Sequence, residues 1–183
     1  MNLFARIPGE LFSILASPNR ALYADALDVL WEAYRDNLKI PENTLYSMLR
    51  SKLEQQLADA TFEGEDIDEE ERRDISGRAR FLIRKLYSKG WFEKERSGDF
   101  EEYITVPGYS SALLTLFHQL RDERPLRGYS YVFSTYSTLK VADESGSIYD
   151  KMAAVYSAYD NTQALLQLLQ MVYHNVKHFF QCK

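Results

Sequence analysis

Apolar residues recur at helical spacing over most of the chain, and in one place the repeat changes to the short aromatic and β-branched runs of strands. Between Ile75 and Leu86, the residues Ile75, Ala79, Leu82, Ile83 and Leu86 fall three or four apart, on one helical face. Arg78, Arg80, Arg84 and Lys85 take the other face. Gly90 follows where a left-handed C-terminal cap belongs. Two short runs come next, Trp91 to Arg96 and Phe100 to Val106, separated by Ser97-Gly98-Asp99, a turn sequence that tolerates positive φ.

A basic amphipathic helix joined through one glycine to a two-stranded hairpin predicts a winged-helix domain, with this helix as its third. The preceding pattern supplies the others. Pro8 to Leu15 suits a short helix. Ser17-Pro18 reads as an N-cap and first helical position, opening a helix to about Leu38 with Leu22, Ala26, Leu27, Leu30, Ala33 and Tyr34 inward. Pro41 opens the next, with Leu45, Met48, Leu49, Leu53 and Leu57 on one stripe that fades near Asp59.

Beyond the wing the pattern is helical again. Pro107-Gly108 ends the second strand, and Tyr109 to Glu123 is a helix with Leu113, Leu114, Leu116, Phe117 and Leu120 apolar, closed by Pro125. Arg127 to Ala142 keeps helical spacing at Val132, Phe133, Tyr136 and Leu139 despite their β-prone chemistry, so helix is expected and strand is the alternative. After Gly146-Ser147, a stripe of Ile148, Met152, Val155, Tyr159, Leu166, Leu169, Tyr173, Val176 and Phe180 runs close to the coiled-coil repeat. Such a helix is about 50 Å long. Its end, Phe179 to Lys183, has aromatics and no cap, and is expected to continue past Lys183. The expected fold is therefore mainly α, with a winged-helix domain over 1–108 and a helical domain over 109–183.

Charge changes this picture more than composition does. The chain of 183 residues is 45% apolar and 14% aromatic, a folding composition, and carries a net charge of −5. From Glu54 to Glu71 there are nine acidic residues and no basic one, whereas Arg72 to Arg96 holds nine basic and three acidic residues, a local +6. Phe62 to Arg73 is expected to be too charged to pack, a solvated connector or frayed helix start. The alternative is that it mimics phosphate and shields the basic helix behind it. In many winged-helix proteins the third helix enters the major groove; Arg78, Arg80, Arg84, Lys85, Lys89, Lys94 and Arg96 are the candidates for DNA or partner contact. The acidic total argues against generic nucleic-acid binding.

Enzyme chemistry is not expected. The chain has no glycine-rich phosphate loop, nucleophile elbow or paired-cysteine motif, and the acidic run is expected to sit in a stretch without apolar neighbours to raise a pKa or exclude water. His174, His178 and Cys182 stand on one helical face, but a zinc site would lack a fourth ligand, and His118 lies on another helix; a polar edge of a packing helix is the expected reading, with no metal and no cofactor. Cys182 is the single cysteine, no signal peptide is legible, and no apolar run approaches the ~18 residues of a membrane span, so a cytoplasmic location is expected.

Three blocks carry a resemblance. Met1 to Arg20 (MNLFARIPGELFSILASPNR), Gly90 to Glu95 (GWFEKE) and Gly128 to Lys140 (GYSYVFSTYSTLK) resemble the N-terminal part of the JetA family. These are the kleisin-type subunits, related to MukF, of the condensin-like bacterial SMC complex Wadjet, which defends against plasmids. The resemblance implies a winged helix that forms a homodimer, and following helices that bind the neck of the SMC ATPase's coiled coil. Met152, Val155, Tyr159, Leu166, Leu169, Tyr173, Val176 and Phe180 would be the neck-binding stripe. It also implies later segments that recruit a small KITE-type accessory subunit and the second ATPase head, and contact with DNA through the assembled complex. The alternative is a winged-helix transcription regulator that dimerises through its C-terminal helix.

Overall fold

The computed structural model describes residues 3–37, 39–96, 102–121, 128–145 and 147–181; side chains at 3, 128, 174–176 and 178–181 are outside the description. The chain divides into two compact units, Met1–Asp122 and Glu123–Lys183.

The first unit is built on α1 (Arg20–Arg35), whose Leu22, Tyr23, Ala26, Leu27, Val29, Leu30 and Ala33 are buried. A 3-10 turn at Leu11–Ala16 precedes it and supplies Leu11 and Ile14 to the core. The helix starts after Asn19 rather than at the expected Ser17-Pro18, because Ser17 ends the 3-10 turn and leaves its hydroxyl buried without capping anything. Residues 40–59 form β1 (Ile40–Pro41), α2 (Glu42–Lys52) and α3 (Glu54–Asp59), so the expected single helix is broken at Leu53. Leu45, Leu49, Leu53 and Leu57 remain on the core side, as the stripe requires.

The connector to the third helix is not the solvated loop its charge suggests. Phe62 and Ile67 are 3% and 8% exposed, the Phe62 ring meets Phe81 edge-on at 5.1 Å, and Glu69–Arg73 forms a short helix, α4. Two apolar residues among the acids are enough to pin the segment. A capping box between Asp68 and Glu71 opens α4.

The basic helix, α5 (Ile75–Ser88), begins with the Asp74 carboxylate accepting from the Gly77 N–H at 2.6 Å. It ends as its sequence predicts. Gly90 has φ +84°, its N–H donates to the Tyr87 carbonyl at 2.9 Å, and the Trp91 N–H donates to the Leu86 carbonyl at 3.0 Å, the two bonds of a Schellman cap.

The wing is β2 (Glu93–Arg96) and β3 (Glu102–Thr105), paired antiparallel with Lys94 opposite Ile104. The expected turn at 97–99 lies outside the described residues. β1 adds a third strand, with Ile40 opposite Ile104 and Pro41 opposite Tyr103, giving the order β1-β3-β2. A two-residue strand whose second residue is a proline carries too little alternation to be legible. Trp91 and Phe92 precede β2 and are fully buried, with the Trp91 indole N–H donating to the Leu11 carbonyl at 2.9 Å. The architecture is mainly α with a small antiparallel sheet in a winged-helix arrangement.

α6 (Gly108–Arg121) packs on α1 within this first unit, although the sequence placed it at the start of the second domain. Ser110 donates to the Trp91 carbonyl at 2.6 Å and Tyr109 to that of Gly90 at 2.8 Å. His118 stacks on Trp31, with ring centroids 3.5 Å apart, and its Nδ1 lies 2.9 Å from Asp28. Arg121 pairs with Asp25 and Asp28. His118 is thereby a packing residue of the α1–α6 contact.

The second unit is a helical hairpin, α7 (Gly128–Glu144) and α8 (Ile148–Gln181). Residues 128–144 are helical throughout, which removes the strand alternative. The expected end of the preceding helix at Pro125 lies outside the described residues.

The basic helix and the exposed hairpin stripe

Every side chain that sequence nominated on and beside α5 has a partner inside the chain. Arg78 donates from Nη1 to the carbonyls of Leu57 and Ala58 at 2.5 and 2.8 Å, and from Nε to the carbonyl of Arg72 at 3.0 Å. It thus places a cation at the C-terminal end of α3, the favourable end of the helix dipole. Arg80 lies over the Tyr46 ring at 5.8 Å, at the rim of a shallow cleft whose other residues are Asp68, Glu70, Glu71, Asp74 and Gly77. Arg84 grips Glu71 with two donors, Nη2 at 2.7 Å and Nε at 3.2 Å. Its Nη2 also donates to the Asp66 carbonyl at 2.7 Å, and its Nη1 is 3.7 Å from the Asp66 carboxylate.

The remaining cations follow the same rule. Lys85 reaches Glu65 at 3.6 Å, Lys89 reaches Glu10 at 3.1 Å, and Lys94 lies between Glu42 and Glu102 at 2.8 and 3.4 Å. Arg96 at the wing tip is 3.3 Å from Glu102.

The titration shifts agree with this pairing. The Arg84 hydrogen bonds hold the Glu71 carboxyl below its ordinary range against the opposing effect of burial, and Glu71 raises Arg84 in return. At Lys94 burial pulls downward, but the carboxylates of Glu42 and Glu102 outweigh it and leave the ammonium above its usual value.

Sequence reasoning did not single out the residues that fix the connector. The Glu65 carboxylate accepts from the Tyr23 hydroxyl and, at 2.9 Å, from the Asn19 amide, while that amide also donates to the Thr61 carbonyl at 3.0 Å. Gly77 is the second such residue: a Cβ there would clash with the Glu71 carbonyl oxygen and lie 2.6 and 2.7 Å from its Cα and carbonyl carbon, so α4 rests on α5 only because position 77 has no side chain. A glycine inside an otherwise good helix was the available signal.

In the second unit, the most deeply buried of the described residues of α7 and α8 are small. Ala142, Ala154 and Ala158 are buried, and the Asn161 amide donates to the Ser134 hydroxyl at 3.1 Å. Small residues let the helices approach, and many of the large ones face outward. Met152, Val155, Tyr159, Leu166, Leu169 and Tyr173, six of the nominated stripe, are 48 to 71% exposed. On α7, Tyr129, Val132, Phe133, Tyr136 and Leu139 are exposed too. The side chains of Val176 and Phe180, and those of His174, His178 and Cys182, lie outside the described residues. Among the described residues no group of three or more His, Cys, Asp or Glu is placed to hold a metal ion, and no helix is long and apolar enough to cross a membrane.

The mainly α, winged-helix fold agrees with the fold that the sequence blocks suggested, and a family comparison decides the family. The family model described as Wadjet protein JetA matches residues 29–182. The chain belongs to the JetA family. A relative named Wadjet protein JetA, from Bacillus cereus (strain Q1), is 28% identical over 184 residues, covering 98% of this chain and 39% of the relative. The chain therefore spans well under half the length of that JetA protein. No solved structure matches it significantly. Of the three JetA-like blocks, Gly90 to Glu95 and Gly128 to Lys140 fall inside the matched residues, and Met1 to Arg20 precedes them.

Proposed function

We propose that this chain is the N-terminal part of a kleisin-type subunit of a Wadjet SMC complex acting in defence against plasmid and other foreign DNA. It works by assembly rather than by chemistry of its own. The winged-helix unit serves dimerisation with a second copy, and the α7–α8 hairpin binds the neck of the SMC ATPase's coiled coil. The accessory KITE-type subunit is recruited elsewhere in the kleisin, DNA is reached through the assembled complex, and the setting is the cytoplasm.

One observation carries the reading beyond family membership: α8 presents Met152, Val155, Tyr159, Leu166, Leu169 and Tyr173 to solvent at coiled-coil spacing although it already has a helical partner in α7. A helix with one face spent on its hairpin and a second apolar stripe uncovered is suited to joining a partner's helices in a larger bundle. Monomeric surfaces seldom leave so long an apolar strip open. The transcription-regulator alternative draws no comparable support, because the cations it would use on α5 and the wing already have partners within the chain.

The test is co-elution. The chain should run as a dimer by light scattering and should carry the matching SMC neck fragment with it through size exclusion. A strictly monomeric chain that ignores the neck fragment rejects the proposal.

A further inference from the structure

The exposed residues of α5 form a single stripe, Arg80, Arg84, Tyr87 and Ser88, spaced four, three and one apart. In a winged-helix fold this is the face of the third helix that a DNA groove would meet. Here the acidic connector meets it first. Glu71 takes two donors of the Arg84 guanidinium, which is the fork geometry an arginine uses on a phosphate. The Asp66 carbonyl takes a further hydrogen bond, and the Asp66 carboxylate stands on the other side of the same group. The Arg80 end of the stripe borders a cleft lined by Asp68, Glu70, Glu71 and Asp74.

This contact is constructed rather than incidental. The connector is held by Phe62 and Ile67 in the core, by Glu65 under the Tyr23 hydroxyl, by the Asp68–Glu71 capping box, and by the close approach of the Glu71 backbone to Gly77. Held there, the connector's carboxylates occupy the hydrogen-bonding edge of Arg84, while Arg80 lies over Tyr46 at the side of the acidic cleft. The Arg84 guanidinium is thereby closed to phosphate.

We propose that the connector Phe62 to Arg73 is an intramolecular competitor for α5, which keeps a latent duplex-DNA backbone site at Arg80 and Arg84 closed. When Asp66 and Glu71 no longer hold Arg84, the stripe takes phosphates in their place. The inference concerns DNA contact by this chain itself and does not depend on the assembly reading.

Anisotropy of a labelled duplex of arbitrary sequence, titrated with the whole chain at low and at physiological salt, tests it. The wild type should bind weakly. The D66N/E71Q variant should bind roughly tenfold more tightly at low salt, with a steeper salt slope, as expected for one or two additional phosphate contacts. The side-chain amide introduced by E71Q keeps an oxygen for the Asp68 N–H, so α4 should persist. Adding R84E to that variant should return binding to the wild-type level. If E71Q unfolds the chain by circular dichroism, D66N decides alone, since the Asp66 side chain is 94% exposed: a gain cancelled by R84E supports the competitor. Unchanged affinity in a folded variant, or a gain that survives R84E, overturns it.

Discussion

The Tyr23 hydroxyl on α1 donates to the carboxylate of Glu65, forty-two residues further along in the acidic connector. Burial, the hydrogen bond to Glu65 and the Coulombic effect of that carboxylate all raise the phenol's pKa, so the proton stays on Tyr23. Removing the acceptor leaves a buried hydroxyl and the Asn19 amide short of a partner. Glu65→Ala should therefore lower stability by about 2 kcal/mol, and Tyr23→Phe, which leaves Glu65 its contacts with Asn19 and Lys85, by about 1 kcal/mol. Chemical denaturation with unchanged m-values checks both. Equal and negligible effects would mean that Glu65 does not anchor the connector.

Gly77 should tolerate no side chain. In an ordinary helix Gly→Ala stabilises by roughly 1 kcal/mol, but here the new Cβ would enter the backbone of α4 at Glu71. Gly77→Ala is expected to reverse the usual sign and to expose the connector to proteolysis between Phe62 and Arg73 while the remainder of the first unit stays folded. Limited proteolysis with mass-spectrometric site mapping reads this directly. A stabilised, equally protected variant would show that α4 need not rest on α5.

Much of this architecture is legible without coordinates because its signals are local. The apolar stripes of α1, α2 and α5 and the glycine at position 90 each mark their element through spacing and backbone freedom. What was not legible depends on contacts distant in sequence. Glu65 reads as one more acid in an acidic run until Tyr23 is found above it, and Phe62 and Ile67 are too few to give a period. The stripe of α8 was visible as a stripe. The adjoining set of Ala154, Ala158 and Asn161, which makes the hairpin seam, was hidden by the larger residues beside it. Hydrophobicity ranks Tyr159 above Ala158, whereas close helix packing selects the smaller side chain.

The Glu71–Arg84 clasp should make a pH-dependent contribution with a definite sign. Hydrogen bonding to Arg84 depresses the Glu71 pKa below its ordinary 4.5. A carboxyl depressed in the folded state adds stability that is fully present above its unfolded pKa and is lost as the pH falls through the lower folded value. The gap in melting temperature between wild type and Glu71→Gln should thus be constant from about pH 6 upward and close in acid. Because Arg84 is 44% exposed, the gap should correspond to less than about 1 kcal/mol. A gap that widens on acidification would contradict the assignment.

Ala158 and Tyr159 are adjacent on α8, yet substitutions there should separate folding from assembly. Ala158 is buried in the seam with α7, so Ala158→Leu forces a large side chain into a close helix contact and should destabilise the hairpin by about 1 to 3 kcal/mol. Tyr159 is 61% exposed, so Tyr159→Glu should leave the melting of the isolated chain within about 0.5 kcal/mol of wild type. Partner binding should respond in the opposite way. If the exposed stripe docks on a coiled coil, a charge at its centre leaves a carboxylate desolvated in an apolar interface, and Tyr159→Glu should abolish co-elution with the SMC neck fragment while circular dichroism remains native. Retention of the neck fragment by a folded Tyr159→Glu chain would move the interface away from this stripe, whichever partner the hairpin serves.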